Sequence, residues 1–206
     1  MPIDLNHGQG NLIWWPELGM GWHPAPPIEY EGDYWDEYRE RDATEMGKAL
    51  TDARIALVDR HFHGSVVDIG IGGGRFVEDS GSLGYDVNPK AVKWLVENAR
   101  WMDVYIHGAD AITCWDSIEH IPDPMELLKR VRKWVFVSLP IMESPEHCLK
   151  SRHYKPGEHI WYWTHQGFVE WMKKAGFECV ETNAAESDLG RDGITSYAFR
   201  RVEWPL

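Results

Sequence analysis

Three stretches of the chain concentrate groups able to bind or activate a ligand. In Asp68-Ile-Gly-Ile-Gly-Gly-Gly74 an acid precedes a run of glycines. Residues without a Cβ let a ligand touch the backbone itself. Asp68 adds a negative charge beside that turn, a poor neighbour for a pyrophosphate but a good one for a ligand carrying ammonium and sulfonium groups. Asp86, 18 residues further on, can accept two hydrogen bonds from vicinal hydroxyls of a ribose. Next, Trp115-Asp-Ser-Ile-Glu-His120 sets two carboxylates and an imidazole close together. Finally, His147, His153, His159 and His165 populate an aromatic stretch that includes His153-Tyr-Lys-Pro-Gly-Glu-His-Ile-Trp-Tyr-Trp163. Imidazole suits a general base at neutral pH, so His120, His153 and His159 are the candidate catalytic residues.

These groups need a frame. Ser65-Val-Val-Asp-Ile69 is short, β-branched and closed by glycines, the pattern of a parallel strand covered on both faces. Further strands are expected at Leu83 to Val87, Val104 to Ile106, Ala111 to Trp115, Trp134 to Leu139, Phe177 to Thr182 and Ile194 to Arg200. Helices are expected after Asn88-Pro89, after Asp123-Pro-Met-Glu126, with apolar positions through Val131, and after Thr164, where Gly176 closes the helix. A leading helix is expected within residues 33–62, where Met46, Ala49, Leu50, Ala53 and Leu57 share one face. Residues 1–32, rich in Pro and Gly, read as an irregular aromatic arm whose Trp14, Trp15 and Trp22, with Trp35, serve as a lid or as core packing. Strands alternating with helices and a closing hairpin describe an open α/β sheet with helices on both faces. Ligands bind such sheets beyond the carboxyl ends of the strands, where the glycine turn falls.

Val66-Val-Asp-Ile-Gly-Ile-Gly-Gly-Gly74, Gly84-Tyr-Asp-Val-Asn-Pro89, Asp110 to Pro124 and Ala175-Gly-Phe177 resemble the successive signatures of class I S-adenosylmethionine-dependent methyltransferases, over about residues 45–200. The length fits one domain over residues 1–206, and the resemblance implies a Rossmann-like core from 63: a mostly parallel open sheet with a C-terminal antiparallel strand. It implies S-adenosylmethionine as cofactor, with Gly70 and Gly72 near its methionine and ribose, Asp68 at its amino group and Asp86 on its ribose. Ile71, Gly74 and Val87 complete the set, and Trp115 and Asp116 border the methionine end. Two departures stand out: Gly74 to Asp86 is short, so the first helix must be stunted, and Ala99 to Asp110 leaves no room for the usual helix and acidic adenine contact, for which Asp103 or Trp101 stand in. Asp116-x-x-Glu119-His120 with a later His resembles the metal site of quinone-biosynthesis O-methyltransferases and small-RNA 2'-O-methyltransferases. Asp replaces Glu here, and the pattern also occurs in relatives without metal, so none is expected; Asp116, Glu119 and His120 are the candidate ligands.

A nicotinamide dinucleotide is the alternative cofactor, but the Gly-x-Gly-x-x-Gly fingerprint fails: it meets Arg75 counted from Gly70 and Val77 from Gly72. With 33 acidic against 21 basic residues and a net charge of -12, the chain suits a small-molecule acceptor better than nucleic acid. The basic strip Lys129 to Lys133 is a local counter-signal, and it reads as a solvated helix face. An S-adenosylmethionine-binding protein without catalysis, or a nucleic-acid or protein methyltransferase, are the alternatives. No apolar run spans a bilayer and no export leader is evident, so the cytoplasm is expected. Cys114, Cys148 and Cys179 read as ordinary thiols.

Overall fold

The computed structural model describes residues 1–7, 10–24 and 33–202. In chain order the strands and α-helices are β1 (Ile3–His7), β2 (Gly10–Trp15), β3 (Met20–Trp22), α1 (Asp33–Asp42), α2 (Glu45–Asp59), β4 (Val66–Ile69), α3 (Arg75–Ser80), β5 (Leu83–Tyr85), α4 (Pro89–Glu97) and α5 (Val104–His107). They continue with β6 (Ala109–Trp115), α6 (Pro124–Leu128), β7 (Val131–Pro140), α7 (Pro145–Lys150), β8 (Trp161–Trp163), α8 (His165–Lys174), β9 (Phe177–Asn183), α9 (Ala185–Asp188) and β10 (Ile194–Arg201).

The main sheet runs β5-β4-β6-β7-β10-β9, six strands, with β5, β4, β6 and β7 parallel and β10 antiparallel to both of its neighbours. The expected open α/β architecture with a C-terminal antiparallel pair is present. All four residues of β4 are buried, as a strand with helices on both faces requires. Val67, Ile69, Ile112, Val135 and Val137 share one core with Phe168 and Met172 of α8. Burying each such side chain contributes about 1.5–3 kcal/mol.

The helix starts follow their capping residues. Asn88 accepts from Lys90 N–H with Pro89 in the first turn, Asp123 accepts from Glu126 N–H before α6, and Thr164 accepts from Gly167 N–H before α8. The first helix after the glycine turn, α3, is six residues long, stunted as its spacing demands.

Four elements differ from expectation. The N-terminal segment is not an irregular arm: β1, β2 and β3 pair antiparallel and join β8 in a second, four-stranded sheet. Its pairing partner lies about 140 residues away, so local punctuation by Pro and Gly misled. Residues 25–32 of that segment lie outside the described residues. The leading helix is two helices, because Thr44 leaves the helical backbone and caps α2 through Gly47 N–H. Val104 to Ile106 forms α5 rather than a strand, since the Asp103 carboxylate accepts from Tyr105 and Ile106 N–H and fixes a helical turn. The edge of the sheet is instead bridged by Trp101 opposite Gly84. Lastly, α6 stops at Leu128 and Val131 opens β7.

Two of the four early tryptophans, Trp14 and Trp35, are packing residues, whereas Trp15 and Trp22 are half-buried. Trp14 lies buried with Leu12, Met142 and Tyr162, and Trp35 packs on Trp94. The basic strip is neutralised: Glu126 pairs with Lys129 and Arg130, and Asp110 with Arg132 and Lys133. The three cysteines are free thiols. Among the described residues no helix is long and apolar enough to cross a membrane.

Candidate active site

A cavity of about 670 Å³ opens beyond the C-terminal ends of β4, β5 and β6, the position at which open α/β sheets bind ligands. The glycine turn forms part of its wall. Gly70 and Gly72 have φ of +73° and +55°, left-handed conformations that a Cβ would strain. A Cβ at Gly70 would sit 2.9 Å from Ser117 Cβ, and one at Gly72 3.1 Å from Tyr38 Cδ1. Ile71 lies between them in the same wall. Gly74 does not: it is the entry residue of α3, facing Trp94 and Trp35, so its role is to let that helix start. Helix α1 lies on the turn, with Arg39 Nη1 donating to Gly73 O at 2.9 Å and Arg75 Nη1 to Asp42 O at 3.0 Å. Tyr34 and Tyr38 of α1, rather than the expected tryptophans, present rings to the cavity.

Both expected acids line this cavity. Asp68 is 1% exposed and accepts from Thr113 Oγ1–H at 2.6 Å; burial pushes its pKa up to about 7. Asp86 Oδ2 accepts from Ile71 N–H at 2.8 Å and Oδ1 from Asn88 N–H at 2.7 Å. Backbone N–H groups thus hold the carboxylate in place at the cavity, and burial raises this pKa too. Val87, 68% exposed, continues the wall. Beside it Tyr85 and Tyr105 meet edge to face with centroids 5.4 Å apart. This aromatic end was not foreseen. The residues nominated for it, Asp103 and Trp101, are not in the wall: one caps α5 and the other bridges Gly84.

Trp115 and Asp116 border the cavity as expected, but Asp116 is already engaged. Its φ of +52°, uncommon outside glycine, turns its carboxylate to Arg191 Nη1 at 2.5 Å and Arg54 Nη2 at 3.4 Å. Both guanidiniums also bind Glu186, which is buried, and Arg54 lies over the Trp115 ring at 5.3 Å. Two acids and two guanidiniums thus balance one another at the cavity edge. Nothing in the spacing of residues 54, 116, 186 and 191 announces this quartet.

The histidines separate into two places. His120 Nδ1–H donates to Glu158 O at 2.8 Å, which leaves the Nε2 lone pair 3.9 Å from Glu119 Oε1. His159 meets His120 with ring centroids 4.7 Å apart at 84°. Ligand-capable atoms of Glu119, His120 and His159 all lie within 4.8 Å of one another. Burial holds the His159 pKa down at about 2 and lowers that of His120, so both rings are neutral. Glu119 is 1% exposed, and neither carboxylate oxygen has a hydrogen-bond partner among the described residues. Burial first, and the Asp116 charge second, raise its pKa well above the usual carboxylate range. The segment bearing His159 is tied down by β3 pairing with β8, by His23 N–H on Ile160 O and by Ile160 N–H on Glu119 O. The His153 ring lies outside the cluster, its Nε2–H donating to Asp192 O at 2.9 Å, while its backbone hydrogen-bonds the His159 ring.

A glycine turn flanked by the buried Asp68 and the half-buried Asp86 at a parallel-sheet switch point is the architecture of a nucleotide- or nucleoside-binding α/β enzyme. A methyltransferase-domain family profile matches residues 36–182, and the chain belongs to that family. Among solved structures, an S-adenosylmethionine-dependent methyltransferase of Thermotoga maritima is 18% identical, with 82% of this chain and 97% of that one covered at a TM-score of 0.58. Magnesium protoporphyrin IX methyltransferase of Synechocystis PCC 6803, with bound S-adenosylhomocysteine, is 15% identical over 85% and 90% at 0.52. The small RNA methyltransferase HEN1 is 18% identical over 78% of this chain and 26% of its own at 0.53. At these identities the likeness is one of fold. Among curated proteins, none matches the chain.

Proposed function

We propose that this enzyme transfers a methyl group from S-adenosylmethionine to an oxygen or nitrogen atom of a small-molecule acceptor. The observation that carries this reading is one cavity walled both by the Asp68, glycine-turn and Asp86 set and by the neutral imidazoles of His120 and His159. The bound cofactor supplies a methyl group already activated by its sulfonium. Asp68 receives the ammonium group, the backbone at Gly70, Ile71 and Gly72 fits the methionine and ribose, and Asp86 accepts from the ribose hydroxyls. The Val87, Tyr85 and Tyr105 end takes the adenine. Trp115 shapes the methionine end, and Asp116 acts there by holding Arg54 and Arg191 in place. The protein's task is to align an acceptor and exclude water. His120 or His159 can take its proton, being uncharged; His153, hydrogen-bonded to Asp192 O, is the third candidate. Mass spectrometry of ligand retained through purification, together with formation of S-adenosylhomocysteine from an acceptor panel, tests this. A dinucleotide in the cavity overturns it.

One observation favours a metal-assisted variant. Glu119 is a buried carboxylate without a hydrogen-bond partner, beside two neutral imidazoles, and a cation would offset its desolvation. One oxygen and two nitrogens suit a divalent transition-series ion such as zinc or, through the carboxylate, manganese. Asp116, a candidate ligand by spacing, is turned to Arg191 and Arg54, so His159 completes the set instead. Such an ion would polarise an acceptor hydroxyl. Titration of the chelator-treated protein with manganese and zinc decides: absence of binding heat, with methyl transfer indifferent to chelator, removes the metal and leaves the imidazoles as bases.

A further inference from the structure

Five cations line the cavity of a chain whose net charge is -12: Arg41, Arg54, Arg152, Lys155 and Arg191. Four face a carboxylate, through Glu37, Glu158 or the Asp116 and Glu186 pair. Arg152 does not. On this exposed side chain Nη2 donates to the backbone carbonyl of Asp192 at 2.8 Å and Nε lies 3.4 Å from His153 Nε2. The bond to Asp192 fixes the guanidinium at the cavity wall and leaves the Nη1 side of its fork available. The same carbonyl accepts from His153, and the His153 backbone in turn hydrogen-bonds the His159 ring. Arg152 is therefore one residue removed from the chain that holds the neutral imidazoles.

We propose that the acceptor carries an anionic group, a carboxylate or a phosphate, which docks on Arg152 while its nucleophilic atom reaches the His120 and His159 end of the cavity. A planar guanidinium fork matches such groups with two hydrogen bonds. The rings of Tyr34 and Tyr38 in the same cavity suit an apolar or aromatic body between the two ends. This inference rests on the methyl-transfer reading of the cavity.

Calorimetry on protein saturated with S-adenosylhomocysteine tests it, with 4-hydroxybenzoate, its neutral isostere 4-hydroxybenzamide, and 4-hydroxyphenyl phosphate as probes. An anion should bind at least about tenfold tighter than the amide, the yield of one charge-assisted pair. Arg152→Gln should cut that preference below about threefold, Arg152→Lys should keep part of it, and affinity for S-adenosylhomocysteine should stay within about twofold in both variants. Preference for the benzoate or for the phosphate ester assigns the class of anion. Equal binding of acid and amide, no saturable binding of either anion, or a preference that survives in Arg152→Gln overturns the proposal. Failure of the wild-type protein to bind S-adenosylhomocysteine would instead strike the cofactor reading.

Discussion

Asp68 makes cofactor affinity depend on pH in a calculable way. Before cofactor binds, burial holds this carboxyl at a pKa of about 7, against an ordinary value of 3.8. The ammonium group of the cofactor pairs only with the ionised form, so binding below pH 7 must expel a proton. A group of pKa about 7 is about nine-tenths protonated at pH 6 and one-tenth at pH 8, so binding should release about 0.9 and 0.1 proton respectively. Between about pH 7.5 and 5.5 the ionised fraction falls roughly 25-fold, and affinity for S-adenosylhomocysteine should fall by the same factor. Calorimetry in buffers of different ionisation enthalpy reads both quantities. Asp86 is also raised, so the decisive comparison is with Asp68→Asn, which should bind more weakly and lose about one proton from the linkage. The stability sign is opposite to that of a salt-bridged acid. A folded pKa above the unfolded one means that ionisation destabilises the cofactor-free fold, by up to about 4 kcal/mol at neutral pH, and that this penalty fades as pH falls from 7 towards 3.8. Asp68→Asn should therefore raise the Tm of the cofactor-free protein at pH 8. A pH-independent affinity in the wild type, or a variant with the same proton release, refutes the placement of the ammonium group at Asp68.

Three further outcomes can be checked. Asp86→Ala removes the acceptor for Ile71 and Asn88 N–H as well as the ribose contact, and should weaken S-adenosylhomocysteine binding by at least about 100-fold in calorimetry. Gly70→Ala places a methyl group 2.9 Å from Ser117 Cβ on a backbone with φ of +73°, costing about 1–3 kcal/mol in thermal unfolding along with much of the cofactor affinity; an unchanged Tm contradicts the close approach. Arg191→Met leaves Glu186 and Asp116 sharing Arg54, a half-broken buried network that should cost about 3–5 kcal/mol, or about 10 °C in Tm by circular dichroism. A drop of only a degree or two would show that the quartet is solvated.

Most of the frame was legible because its signals are local. Asn88-Pro89, Asp123-Pro124 and Thr164 each start the helix their side chains cap, and the β-branched runs at 66–69 and 135–137 form buried parallel strands. Where the pattern misled, a local competitor decided the outcome. Val104 and Ile106 favour a strand, yet one Asp103 oxygen accepting two backbone N–H groups makes α5. The prolines and glycines of residues 1–24 suggested irregularity, although the segments between them are long enough to pair. Of the site, motif and order nominated Asp68, Gly70, Ile71, Gly72, Asp86, Val87, Trp115 and Asp116, all of which line the cavity, and Gly74, which does not.

By itself, then, the sequence determined most of the succession of elements from β4 to β10, the glycine turn and the two acids at the tips of β4 and β5, since these depend on caps, backbone freedom and alternation within a few residues. Only the tertiary structure decided which distant side chains meet. It set Arg54, Asp116, Glu186 and Arg191 into one charge-balanced quartet and gave the cavity its aromatic end through Tyr85 and Tyr105. It also brought His159 against Glu119 and His120, a contact held by an N-terminal strand pairing with β8. Those meetings depend on burial and on chain paths closed over 40 to 140 residues, and no short-range pattern encodes them.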